Sequence, residues 1–238
     1  MSIINQNQIT DAETPDSSWK SLSQVGGIAV IIMFILIPIQ SFIFIASPPP
    51  TTVIDYFALF QKNWLLGLLD LDLLYLVDNV LMIPIYLALY FTLKPINKSS
   101  LTIALTLSLV GLATYFASNP SFEMLSLSNQ YAAATSDPER LMFLAAGQSM
   151  LAVYQGTAFN VYYLFNAIAL LVFSKVMLQS TIFSKATAYL GILAGILMLV
   201  PSSAGLIGIY FSMSSLVPWT IWLILFARRL FEIERIKK

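Results

Sequence analysis

The chain has no cysteine and no histidine in 238 residues. The first absence excludes disulfides, thiolate metal sites and thiol nucleophiles, and the second excludes imidazole zinc sites and the commonest general base at neutral pH. Charge is scarce as well, at 10% of residues, where a soluble domain carries about 25%. Lysine plus arginine equals aspartate plus glutamate at 12 each, so no basic excess draws the chain to nucleic acid. There is no GxxxxGK phosphate loop, no GxGxxG and no nucleophile elbow. Catalysis would have to rest on carboxylates alone, so the sequence reads as a non-enzyme without cofactor. What is abundant is apolar: 58% hydrophobic residues and a mean hydropathy of +0.80, a composition suited to lipid.

A bilayer core of about 30 Å needs roughly 20 apolar residues per helix. Six such runs occur, at about 26–46, 73–93, 101–117, 158–178, 186–204 and 215–230. The expected fold is therefore all-α and polytopic, with six transmembrane helices in residues 23–238 after a disordered polar tail over 1–22. The acidic flank and the length of the first run argue for a retained helix, not a cleaved signal peptide. Pro201, Ser202, Ser203 and Gly205 mark a turn or a kink between the last two runs. Pro84 reads as a kink in the second helix and Pro218 as a first-turn proline of the sixth. Gly191 and Gly195 form a small-xxx-small pattern that signals close helix packing.

Ten of the twelve basic residues fall on one side of this arrangement: Lys20, Lys94, Lys98, Lys175, Lys185, Arg228, Arg229, Arg235, Lys237 and Lys238. Only Lys62 and Arg140 fall on the other, which by the positive-inside rule faces away from the cytoplasm. Both termini are then cytoplasmic, and the expected location is the cytoplasmic membrane. Trp64, Trp219, Trp222, Arg228 and Arg229 read as interfacial anchors, the arginines snorkelling to lipid headgroups.

Two outer segments are too polar to span. Over 53–69, Val53, Phe57, Phe60, Trp64 and Leu68 recur at helical spacing, and over 121–134 Met124, Leu127, Tyr131 and Ala134 oppose Glu123, Ser126 and Gln130. Both read as amphipathic helices at the outer interface. From Arg140 to Leu178 the pattern stays helical, so the fourth helix extends outward over about 139–157 and joins them in a small extracytoplasmic cap; a break at Gln155-Gly156-Thr157 is the alternative. Ser136 or Asp137 caps this helix, with Pro138 in its first turn.

Ionisable groups inside a membrane are costly, so Asp78, about 8 Å into the second helix, is the sharpest candidate. It sits beside Asn79, with Asp70 and Asp72 at the helix mouth. The fourth helix offers Gln148, Gln155, Asn160 and Asn166, with Tyr162 and Asn166 continuing a polar stripe. Two readings stand side by side: an outward-opening polar cavity for a small ligand or ion, which Glu123 also lines, or interfacial and interhelical hydrogen bonds without a ligand. Asp70, Asp72, Asp78 and Glu123 offer only oxygen donors, without calcium-loop spacing, so no metal site is expected.

The chain also resembles the prokaryotic integral membrane proteins grouped as domain of unknown function 4386. The resemblance is carried by Gly26-Gly27, by Asn119-Pro120-Ser121-Phe122-Glu123-Met124-Leu125 with Gln130-Tyr131-Ala132, and by Ala145-Ala146-Gly147-Gln148. Phe183-Ser184-Lys185-Ala186-Thr187-Ala188-Tyr189-Leu190-Gly191-Ile192-Leu193, Pro218-Trp219 with Trp222, and Arg229-Leu230 carry it further. It implies six helices and a bacterial or archaeal source, and nothing about mechanism. Binding or transport of a small ligand or ion is the first expectation; a non-catalytic partner or envelope sensor, acting through another membrane protein or a second copy, is the alternative.

Overall fold

The computed structural model describes residues 20–236, so the tail expected over 1–22 lies almost wholly outside the described residues, as do Lys237 and Lys238. Among the described residues there are ten helices and no strand. They are α1 (Lys20–Ala46), α2 (Val53–Lys62), α3 (Trp64–Asp70), α4 (Leu73–Leu93), α5 (Lys98–Ser118), α6 (Ser121–Ala133), α7 (Asp137–Tyr154), α8 (Thr157–Leu178), α9 (Lys185–Leu197) and α10 (Gly205–Ile236). Five segments, containing α1, α4, α5, α8 and α10, are long and apolar enough to cross a membrane. The chain is a multi-pass membrane protein.

The long helices form a bundle in which α1 packs on α4 and α10, α5 on α8, and α9 between α8 and α10. Ile85, Leu89, Leu101, Phe173 and Phe226 are fully enclosed between them, while Phe42, Ile45 and Val217 on the outer faces stay more than 60% exposed. An apolar side chain turned outward is the natural state in lipid, which competes for it as well as a protein core does. The small residues expected to pack closely do so: a Cβ on Gly191 would lie 2.1 Å from Ser174 Oγ.

Four expected boundaries are corrected. The segment 53–69 is two helices, because Asn63 is extended and turns the chain, its own amide bonded to Leu59 O and its side chain capping Leu66 N at 3.1 Å. The helix expected to run from 139 through 178 breaks at Gln155-Gly156, the alternative already legible in the sequence. The apolar run 186–204 is helical only to Leu197, and 13 residues span about 20 Å. Finally, α10 begins at Gly205, so Pro218 sits well inside it and not in its first turn. Serines do not interrupt that helix, since Ser215 Oγ returns a hydrogen bond to Ser212 O at 2.7 Å.

At one end of the bundle α2, α3, α6 and α7 enclose a second apolar cluster around Val53, Tyr56, Phe57, Phe60, Leu68, Leu71 and Met124. This is the expected helical cap. Ser136 takes the N-cap position of α7 with Pro138 in the first turn, though its side chain makes no capping bond. The opposite end carries the α4–α5 and α8–α9 turns and the end of α10.

Candidate functional site

Four helices each turn one stripe of side chains toward a common space. On α4 these are Tyr75, Asp78, Asn79, Met82 and Tyr86; on α8, Phe159, Tyr162, Tyr163 and Asn166; on α10, Ser212, Ser215, Leu216 and Trp219; on α1, Met33 and Ile37. Adjacent pairs such as Asp78–Asn79 apart, the separations within each helix are three, four, seven, eight or eleven residues, the spacing of a single helical face. Tyr115 of α5, Met198, Met213 of α10, and the junction residues Asp72, Tyr154, Gln155 and Ser202 complete a cavity of about 350 Å³.

Its floor is a hydrogen bond from Tyr86 Oη to Asn166 Oδ1, 2.6 Å long. The Asn166 amide is fixed in turn by donating to Tyr162 O at 2.9 Å. That geometry requires glycine on the neighbouring helix, because a Cβ at Gly111 would stand 2.4 Å from Asn166 Nδ2. Below the floor the Tyr86 ring stacks on Phe173, with centroids 6.1 Å apart, and separates the cavity from the rest of the core.

The mouth lies where cap and bundle meet. Asp72 joins α3 to α4 with φ 66°, a left-handed conformation that aspartate adopts more readily than most residues. Its carboxylate accepts a hydrogen bond from Tyr154 Oη at the end of α7. Tyr115 Oη completes no bond of its own, yet lies near enough to favour the charged form of Asp72. Burial outweighs these tyrosines and lifts the Asp72 carboxyl to about 6. Asp70, at the end of α3, is 1% exposed with neither oxygen bonded, and burial pushes it up to about 6 as well. Both carboxylates push the Tyr56 hydroxyl upward, in addition to its own burial.

Deeper in the cavity Asp78 is 3% exposed and neither carboxylate oxygen has a partner. Asn79 donates to Tyr75 O at 2.8 Å but leaves its Oδ1 unbonded. Most buried polar atoms in folded proteins are partnered, yet this cavity wall carries four oxygens that are not, on Asp78, Asn79 and Tyr115; the other such atoms among the described residues belong to Gln40, Asp70, Ser174 and Trp222. No lysine or arginine lines the cavity.

Of the residues expected at a site, the fold gathers Asp72, Asp78, Asn79, Gln155 and Asn166 around this space. Asn160 is a strut instead: its Nδ2 donates to Gly156 O at 2.9 Å and its Oδ1 accepts from Ser203 Oγ at 2.5 Å, tying α8 to the turn before α10. Gln148 and Glu123 do not reach the cavity. Gln148 follows Gly147, which packs on Val53 and Phe57, so its own side chain projects outward from the cap; Glu123 lies on the solvent face of α6. Gln148 and Gln155 therefore part company: Gln155, the C-cap of α7, lines the cavity, whereas Gln148, two turns earlier on α7, is exposed.

The anchors divide too. Trp64 is exposed, as an anchor should be, but Trp219 lines the cavity, and Trp222 is buried against Phe226 with rings 5.5 Å apart. Arg228 is exposed and pairs with Glu232 at 3.0 Å. Arg229 reaches inward, donating to Ile182 O at 2.5 Å. Sequence reasoning passed over the tyrosines, above all Tyr75, Tyr86, Tyr115, Tyr154 and Tyr163. The signal was present: Tyr75, Asn79, Met82 and Tyr86 fall on one face of a helix that also carries Asp78.

A family described as a domain of unknown function (DUF4386) matches residues 25–230. The chain belongs to the DUF4386 family. The DUF4386 match takes in the cap, the cavity and all of the bundle except the first turns of α1 and the last of α10. No curated protein and no solved structure matches the chain.

Proposed function

We propose that this DUF4386 protein binds a small ligand or ion in the cavity beneath its cap and passes it across the cytoplasmic membrane of a bacterium or archaeon. It acts by binding and not by catalysis. The observation that carries the reading is Asp78, a carboxylate buried in the bundle, turned into a cavity and bonded to nothing. Asn160 and Asn166 on α8 find partners within the fold, whereas Asp78 has none and faces the cavity, where a ligand can supply one.

The chain crosses six times in this reading, the fifth crossing made by α9 with the turn that follows it. Arg229, near the end of α10, bonds Ile182 ahead of α9, whereas Ser203 beyond α9 bonds Asn160 at the start of α8. Both contacts support residues 185–204 as a link between opposite ends of the bundle. Gly27 of α1 lies against Phe231 of α10, which supports the start of α1 and the end of α10 on one side. The basic residues concentrate there, so that side is cytoplasmic and the cap faces out.

The absence of native cysteine makes the test direct. Single cysteines at Lys62, Arg140, Lys98 and Lys185 report sidedness, and Ser215→Cys reports the cavity. Membrane-impermeant thiol reagents are expected to label Lys62→Cys and Arg140→Cys in intact cells, and Lys98→Cys and Lys185→Cys only after permeabilisation. A small methanethiosulfonate is expected to reach Ser215→Cys from outside. A Ser215→Cys chain that stays unlabelled from either side, while Gln155→Cys at the mouth reacts, overturns the reading.

A further inference from the structure

We propose that the cavity takes a small organic cation: an ammonium or similar positive head group carried on an apolar body. This rests on the binding role proposed above and names its ligand class. Asp78 is shielded from water and faces the cavity with both oxygens unbonded. A buried carboxylate without a counter-charge is expensive, and nothing in the cavity wall provides one. Among the described residues the only ion pairs join Arg228 and Arg229 to Glu232, at the far end of α10. A proton on the carboxyl relieves that cost, and so does a positive charge that arrives with the ligand.

The rest of the wall suits such a ligand. Tyr75, Tyr162, Tyr163, Phe159 and Trp219 line the same space, and aromatic faces attract cations through their ring quadrupoles. A bare divalent ion would need six or so oxygen ligands at about 2.0–2.6 Å. The described residues bring no three acidic side chains together for that purpose. A bulky cation needs no such shell, and about 350 Å³ is room for one. An anion would meet Asp78 and gain no basic partner.

Three probes of similar size separate the alternatives: benzyltrimethylammonium, its uncharged carbon isostere neopentylbenzene, and phenylacetate. Binding is measured by equilibrium dialysis of the full chain in nanodiscs, with empty nanodiscs subtracted to remove partitioning into lipid. Benzyltrimethylammonium is expected to bind saturably at a single site, about tenfold or more tighter than neopentylbenzene. Asp78→Asn is expected to remove that advantage and leave neopentylbenzene unaffected. The wild-type comparison of charged and neutral probes decides the matter even if Asp78→Asn does not fold.

Equal or tighter binding of neopentylbenzene or phenylacetate overturns the cationic class while leaving a ligand-binding cavity. Failure of all three probes to bind, in protein whose Ser215→Cys still labels, likewise overturns the cationic class but not the accessible cavity. Failure of both binding and labelling overturns the two readings together.

Discussion

The cap and the upper half of the bundle treat polar groups in opposite ways. In the cap, Ser128 Oγ donates to Phe57 O at 3.0 Å and accepts from Gln61 Nε2 at 2.9 Å. Asn119 Nδ2 and Ser121 Oγ both donate to Leu71 O, at 2.8 and 2.6 Å. A few residues away, Asp78, Asn79 and Tyr115 keep oxygens without partners around an open space. Asp70 apart, whose buried oxygens are unbonded, the cap uses polarity to fix its helices over an apolar cluster; the cavity wall holds polarity in reserve. Removing a side chain from the first should cost stability, and from the second, binding.

The sharpest way to break that contrast is Phe57→Ala, since Phe57 is 1% exposed at the centre of the cap. A loss of about 3–5 kcal/mol is expected, read as lowered thermal stability and early proteolysis between α2 and α7. A stable Phe57→Ala protein with impaired binding would invert the contrast.

Next in size is Gly111→Ala, which pushes the Asn166 amide out of place and strains the bond to Tyr86 at the cavity floor. The expected cost is about 1–3 kcal/mol, with Tyr86→Phe adding little once Gly111→Ala is present, because both break the same bond. Full additivity in a double-mutant cycle would show that the floor does not depend on that contact.

Ser128→Ala is smaller, about 1 kcal/mol from one partnered hydroxyl, and should leave ligand binding unchanged. Reduced binding in Ser128→Ala would extend the functional region into the cap.

The smallest effect expected is one of pH, at the junction between the two regions. Burial raises Asp70 from 3.8 to about 6, so the folded chain holds a proton that the unfolded chain releases between those values. Its contribution to stability is complete below 3.8 and is lost as pH rises through about 6. Hydrogen exchange in α3, corrected for its intrinsic pH dependence, should be slower at about pH 5 than at about pH 8, and Asp70→Asn should reduce the difference, leaving the part due to Asp72, which burial raises to the same range. A difference undiminished in Asp70→Asn would assign it to another group.

The helices of the cap were legible because each carries an apolar face and a polar one. Met124 was readable as inward from spacing and is buried, and Glu123 was readable as lying on the opposite face of its helix, though it is exposed there and does not line the cavity as expected. The turn at Asn63 was not legible, since the apolar positions keep helical phase across it. In the bundle the Asp78–Asn79 pair and the Tyr162–Asn166 stripe stood out as polar. The tyrosines did not, because a ring counts as apolar wherever its hydroxyl points. Trp219 and Trp222 were read as anchors for a related reason: a tryptophan suits an interface, a cavity wall or a core equally well.

Composition and run length by themselves determined that this chain lives in a membrane as a set of apolar helices, with a helical cap between them. They determined which residues share a helix face. Only the tertiary structure decided which faces meet. In water, hydrophobicity separates the inside of a protein from its outside, but lipid is as apolar as the core, so Val217 facing outward and Phe226 facing inward carry the same signal. The packing of α1, α4, α8 and α10 is what turned scattered tyrosines and a solitary carboxylate into one cavity.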